Sequence, residues 1–244
     1  MVRAYLETYG CALNQADSGV IEGILKKEGV EFVKRPEDAD WIFINTCAVK
    51  QTTENRMLSR IKKVSKMKGR LVVGGCLPRR NPKAGESVAT CVMGDTNSLD
   101  KIPQLLKGDI RNFFSPTHLN KLRLPNAQHG LSVVVPISEG CLGACSFCCT
   151  RHARGRLSSY SIKDIRLAVE NAVRAGAKEI RLTAEDTGVY GWDIGTTLPA
   201  LLAELKKIKG KFKIRVGMMD PFAAWKLLPD IAVSYTHLTL PTKA

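Results

Sequence analysis

The chain contains no apolar run of the ~18 residues or more that a membrane-spanning helix needs, no internal repeat and no low-complexity tract. Its first residues, MVRAYLETYGC, show no basic n-region followed by an apolar h-region and a cleavage site. The expectation is therefore a cytoplasmic protein with reduced thiols, not a secreted one with a disulfide framework. Acids are scarce: 23 Asp and Glu stand against 37 Lys and Arg, a formal net charge of +14. Such a field favours a polyanionic partner. The scarcity is sharpest from Lys50 to Lys83, where Glu54 is the only acid. That run is either a solvated helix face or a surface for phosphates, and charge alone leaves both open.

What is present is an alternation of strand-like and helix-like segments in 244 residues, enough for one large domain or two ordinary ones. RAYLETYG reads as a strand, QADSGVIEGILKKEG as a helix capped near Asp17 or Ser18, and ADWIFINTC as a buried strand. A basic helix from about Thr52, the strands RLVVGGC and ATCVMGD, and the helix LDKIPQLLKG follow. This predicts an α/β domain with an open, mainly parallel sheet over residues 1–111. Residues 112–130 hold two prolines and no sustained period, and read as a linker. Over 131–232 a second alternation runs through LSVVVPI, a cysteine-rich loop, SIKDIRLAVENAVRAG, KEIRLTAED, LPALLAELKKI and FKIRVGMMDP. Ser161 and Asp164 fit a helix start and Gly176 a helix end. These βα units belong either to a barrel or to an open sheet, and they make up about half of the ~200 residues a full barrel needs. VSYTHLTLPTKA, residues 233–244, breaks the pattern and reads as a non-native tail.

The eight cysteines carry the chemistry. Cys141, Cys145 and Cys148 have C-x3-C-x2-C spacing in a glycine-containing loop beyond a buried strand. Three thiolates can hold a 4Fe-4S cluster and leave one iron open to substrate or cofactor. With His152 the same three could instead form a Cys3His zinc site, and buried thiols acting as small hydrophobes are a third reading. Cys11, Cys47 and Cys76 each end a predicted strand. In a parallel sheet those ends share one edge, so three thiols distant in sequence can converge on a second metal centre. Cys91 lies inside its strand and is read as structural.

The aromatic Phe147 ahead of the third loop cysteine makes this spacing resemble the radical S-adenosylmethionine (SAM) enzymes. Together YGCALNQADS, INTCAVKQTTENR, GGCLP and EGCLGACSFCCTRHARGRLSSYS closely resemble the radical SAM methylthiotransferases. LTAEDTGVYGWDIGTTLPALL resembles their archaeal and eukaryotic branch, which modifies N6-threonylcarbamoyladenosine in tRNA. The resemblance runs to about Pro229, with Gly19 standing where the family commonly has an acid.

The resemblance implies an N-terminal open parallel-sheet methylthiotransferase domain followed by the first half of a radical SAM βα barrel. It implies SAM and two 4Fe-4S clusters, one on Cys11, Cys47 and Cys76, the other on Cys141, Cys145 and Cys148, with Cys149 an extra thiol. Glu185 and Asp186 would face the amino group of SAM and Arg215 its carboxylate. Arg151, Arg154 and Arg156 would meet phosphate or cofactor, or form ordinary ion pairs. The reaction implied adds a methylthio group to C2 of the modified adenine next to the anticodon. That C–H is neither acidic nor electrophilic enough for base or nucleophile, so a radical must remove the hydrogen. Partners would be the tRNA anticodon stem-loop, on the basic helix near residues 56–70, and a protein supplying electrons. Another tRNA adenosine or a ribosomal protein as substrate, and a non-catalytic zinc RNA-binding module, remain alternative readings.

Overall fold

The computed structural model of the chain describes residues 1–47, 51–85, 91–146 and 148–232. The stretch read as a non-native tail, and Phe147, lie outside the described residues. In the first half β1 (Arg3–Thr8), β2 (Glu31–Phe32), β3 (Trp41–Thr46), β4 (Arg70–Gly75), β5 (Cys91–Gly94) and β6 (Asn112–Phe113) form one sheet, ordered β2-β1-β3-β4-β5-β6, with every pairing parallel. The helices between them are α1 (Ala12–Lys27), α2 (Gln51–Val64), α3 (Leu77–Arg80) and α4 (Ile102–Lys107). All six residues of β3 are buried, as expected of a strand covered on both faces. Because successive side chains alternate, Ile42 and Ile44 pack towards Met57, Ile61 and Val64 of α2. Trp41 and Phe43 pack the other way, against Val20, Ile24 and Leu25 of α1 and Ile102 and Leu105 of α4.

The second half holds β7 (Ser132–Pro136), β8 (Ser138–Glu139), α5 (Thr150–Arg154), β9 (Ser158–Ser159), α6 (Ile162–Arg174), β10 (Glu179–Thr183), α7 (Leu198–Leu205), β11 (Lys213–Val216) and α8 (Pro221–Ala232). Strands β7, β10 and β11 form a parallel sheet in which each lies beside the next. Val133, Val135, Ile180 and Leu182 pack on Ile165 and Val169 of α6 and on the leucines of α7. Ser161 caps α6 by accepting from the Asp164 N–H at 3.1 Å. The short antiparallel pair β8–β9 closes around the cysteine loop.

Two local readings change. Helix α1 begins at Ala12, with Cys11 at its N-cap, so Asp17 and Ser18 lie inside the helix and both are buried. Within the stretch read as a linker, Asn112 and Phe113 supply strand β6, too short to show alternation in sequence. The rest of that stretch crosses α1 closely: the Ala127 N–H donates to the Gly19 carbonyl at 2.9 Å. A Cβ at Gly19 would stand 2.5 Å from Gln128 Cγ, and one at Gly23 would stand 2.5 Å from the Pro125 carbonyl carbon. Glycine one turn apart on one helix face is what admits the crossing. Gln128 then pairs with the Val134 backbone through both its amide groups, at 3.1 and 3.0 Å.

A closed ring of four buried charges joins the halves. Asp17 accepts from Lys121 Nζ at 2.6 Å through one oxygen and from Arg154 Nη2 at 2.8 Å through the other. Glu139 bridges the same two cations, accepting from Lys121 and from Arg154 Nη1, both at 2.8 Å. All four side chains are at most 2% exposed. Burial raises the Glu139 carboxyl, but Lys121 and Arg154 outweigh it and hold the group at about 2.

A carboxyl depressed on folding stabilises above its unfolded value and loses that contribution as pH falls through the folded one. The denaturation midpoint of the chain should therefore fall more steeply between about pH 4.5 and about pH 2 than that of Glu139→Gln, as read by urea titration at stepped pH. Lys121→Met, which leaves two buried carboxylates to share one cation, should cost about 3–5 kcal/mol. At Gly74 a Cβ would meet only the Gly94 carbonyl at 3.9 Å, beside a void of about 20 Å³. Gly74→Ala should accordingly gain about 0.5–1 kcal/mol in the same assay.

Candidate metal centres

In the first sheet the chain passes from β1 outward to β2 and then returns to the other side of β1 as β3. Helices α1 and α2 consequently cover opposite faces, and a crevice opens beyond the carboxyl ends of β1 and β3. Cys11 and Cys47 flank that crevice, and Cys76 follows on the next strand. The Cys76 N–H donates to the Thr46 carbonyl at 3.0 Å, extending the β3–β4 ladder so that Cys47 and Cys76 are next neighbours. Gly10, at φ +108°, brings the Cys11 turn so close that a Cβ there would stand 2.8 Å from Cys47 Cβ. Gly75, at φ +90°, is pressed on the Thr46 carbonyl in the same way.

Three polar residues clamp this edge. Asn14 Nδ2 donates to the Thr46 carbonyl at 2.8 Å, and Asn45 Nδ2 donates to the Asn14 carbonyl at 2.8 Å. Thr46 Oγ1 accepts from the Leu77 N–H at 3.2 Å. All three are buried. Sequence reasoning passed over them, although polar residues closing an otherwise apolar strand, as in WIFINT, are the signal that marks such a clamp. The Cys11 thiol donates to Asn14 Oδ1 at 3.4 Å. Burial pushes the Cys76 thiol up to about 12, against the opposing charge of Arg154, and raises Cys11 in the same way. Both thiols must shed protons to bind a metal.

The second trio sits in the loop between β8 and α5. Gly140, at φ +70°, turns the chain, and the Cys141 N–H closes the loop on the Gly155 carbonyl at 3.2 Å. Cys148 N–H donates to the Cys145 carbonyl at 3.1 Å. The sulfurs of Cys141 and Cys145 lie 3.3 and 3.7 Å from where a Gly143 Cβ would stand. Burial raises the Cys141 thiol, and Asp186, Glu185 and Cys148 add to it. Cys149 is turned elsewhere: it interacts with the Arg80 guanidinium of α3. His152 is exposed.

Among the described residues no three Cys, His, Asp or Glu side chains are placed to hold a single metal ion. A cubane cluster carries its ligands on separate irons, so its thiolates stand further apart than the ligands of one ion. A trio of thiols at strand ends and a second in one short loop are a donor set suited to such clusters.

The two sites approach one another through α3 and α5, which pack together. Ala153 shares an apolar cluster with Cys76 and Leu77. Arg154 adds Asn14 Oδ1, at 3.1 Å, to its partners in the charge ring. Glu185, following β10, pairs with Arg154 at 3.2 Å, and burial raises its carboxyl. Asp186 accepts from the Gly188 and Asp220 N–H groups at 3.0 and 3.1 Å. Arg215 is exposed on β11, beside Arg181 of β10. Arg151 is half-buried and Arg156 exposed, whereas Arg154 is closed off from solvent.

On α2 and the turn after it, Arg56, Lys62, Lys63, Lys66 and Lys68 are exposed. Glu54 is buried and accepts from Arg80 Nε at 3.0 Å. The one acid of this segment thus faces inward, and the outer face keeps its positive charge.

Residues 3–94 match the uncharacterized protein family UPF0004. The chain is 40% identical over 243 residues to the probable threonylcarbamoyladenosine tRNA methylthiotransferase of Pyrococcus horikoshii, covering 96% of this chain and 57% of that one. With the protein of that name in Methanothermobacter thermautotrophicus it shares 38% over 262 residues, covering 100% and 60%. With the human threonylcarbamoyladenosine tRNA methylthiotransferase it shares 31% over 249 residues, covering 96% and 43%. The chain spans little more than half the length of these archaeal relatives. Among solved structures, the radical SAM methyltransferase TsrM of Kitasatospora setae, with cobalamin and a 4Fe-4S cluster bound, superposes with a TM-score of 0.50 at 12% identity, over 83% of this chain and 52% of that one. The fold is shared with that enzyme, and over nearly its whole length the chain is similar to the threonylcarbamoyladenosine tRNA methylthiotransferases named above.

Proposed function

We propose that this chain serves a radical SAM tRNA methylthiotransferase that adds a methylthio group to C2 of N6-threonylcarbamoyladenosine next to the anticodon. The observation that carries the reading is the pair of cysteine trios, one at strand carboxyl ends and one in the β8–α5 loop, borne by elements that meet where α3 packs on α5. In this reading residues 1–111 hold the auxiliary cluster on Cys11, Cys47 and Cys76, and residues 131–232 hold the radical-forming cluster on Cys141, Cys145 and Cys148. When bound, the clusters and SAM would supply a carbon-centred radical and a methylated sulfur.

The residues of the chain set where that chemistry occurs. Each trio would leave one iron of its cluster without a protein ligand. Glu185 and Asp186, both close enough to Cys141 to raise its thiol, would face the amino group of SAM, and Arg215 its carboxylate. The exposed lysines and arginines of α2 would take the tRNA phosphates, and base flipping would carry the adenine from the anticodon loop to the site. A reductant protein completes the partners. Among the described residues no helix is long and apolar enough to cross a membrane, and the proposed setting is the cytoplasm.

Anaerobic reconstitution should load about eight irons per chain as two 4Fe-4S clusters. Cys148→Ala should lose half of that iron and Cys149→Ala none. One zinc and no iron would remove the proposal, and the reverse outcome for the two cysteines would reassign the third ligand. Mass spectrometry of tRNA from cells with and without the full-length gene should show the methylthio form of threonylcarbamoyladenosine only in the former. For the basic face, replacing Arg56, Lys62 and Lys63 by Gln should weaken tRNA binding and lower the salt slope by about 1 for each phosphate that is no longer neutralised.

A further inference from the structure

We infer that Arg154 is a positioning residue of the N-terminal cysteine site: its Nε–H donates to a sulfur of the cluster held by Cys11, Cys47 and Cys76 and raises that cluster's reduction potential. The inference rests on the two-cluster reading above and adds to it a residue from the opposite half of the chain.

Arg154 is 1% exposed. Its terminal nitrogens make three hydrogen bonds, Nη1 to Glu139 at 2.8 Å and Nη2 to Asp17 at 2.8 Å and Asn14 at 3.1 Å. Its Nε makes none. That atom lies 3.2 Å from Glu185 Oε1, within ion-pair reach, yet without a hydrogen-bonding geometry, and is among the few buried side-chain polar atoms with no partner among the described residues. A buried N–H without an acceptor is costly, and each such group in a folded protein calls for an explanation.

The surroundings supply one. Ala153, the preceding residue, is packed with Cys76 and Leu77. Asn14 Oδ1 accepts both from the Cys11 thiol, at 3.4 Å, and from Arg154. Arg154 thus stands beside two of the three cysteines. A cluster held by them would present sulfur acceptors to the unmatched donor. Hydrogen bonds to cluster sulfurs favour the more negative, reduced state and so raise the potential. Glu185 is the competing acceptor, and as an anion it pulls the potential the other way.

The test uses the whole chain with Cys141→Ala, Cys145→Ala and Cys148→Ala, so that only the N-terminal cluster loads, in a redox titration followed by electron paramagnetic resonance. Arg154→Lys keeps a buried cation facing Asp17 and Glu139 but lacks the Nε–H. Its midpoint should move to more negative potential, where a purely electrostatic role predicts no shift. Glu185→Gln should move it to more positive potential. Normal iron content with an unmoved midpoint in Arg154→Lys overturns the inference alone. If Arg154→Lys loads no iron, pulsed electron paramagnetic resonance of the reduced parent variant carrying 15N-labelled arginine decides: a 15N coupling to the cluster upholds the inference and its absence overturns it. Failure of the parent triple variant itself to bind iron removes the two-cluster reading, and the inference with it.

Discussion

Taking Lys121 and Arg154 out of water costs several kcal/mol for each ion before any pairing. The structure tolerates this because Asp17 and Glu139 each use both oxygens or bridge both cations, so that the four charges close on themselves. The ring draws on α1, the crossing segment, β8 and α5. Sliding one half against the other would leave a charge buried and unpaired, a penalty that apolar packing would not impose. The ring therefore fixes the register of the halves, and apolar neighbours such as Ala153 against Cys76 fill the space around a position already set.

That register matters because the cysteine trios belong to different halves. The first trio depends on sheet topology: the reversal between β2 and β3 opens the crevice, and parallel strands deliver three distant thiols to one edge. The second depends on a short loop held by Gly140 and by the bond from Cys141 to Gly155. Asn14 connects the two levels. It clamps the end of β3, accepts from the Cys11 thiol and accepts from Arg154.

The spacing of the loop cysteines and the strand ends that Cys11, Cys47 and Cys76 follow were legible in the sequence. Strand alternation was equally clear, since Trp41–Phe43 and Ile42–Ile44 serve opposite faces of one strand. What could not be read were features whose cause lies far away in the chain. Asp17 has the composition of a helix cap, and only the presence of Lys121 and Arg154 shows why it belongs inside α1. Gly19 stands out as a departure from an acidic position until Gln128 is seen occupying the space a side chain would need. Strand β6 has two residues and no period to detect. Arg154 sits in an arginine-rich run, TRHARGR, where exposed and buried members look alike.

Charge is thus used in two separate ways. On α2 the positive groups face outward, and the segment's single acid is turned inward onto Arg80, so the outer face remains unneutralised. At the joint the charges are matched and closed off, except that the Arg154 Nε–H has no acceptor among the described residues. That exception lies where the halves meet, between Glu185 at the end of a strand in one and Cys76 at the end of a strand in the other. Because Arg154 ends the helix that directly follows the second cysteine loop, its anchoring in the first half also anchors that loop. One side chain therefore constrains both sites, and a displacement of either is opposed by the charges that hold the guanidinium.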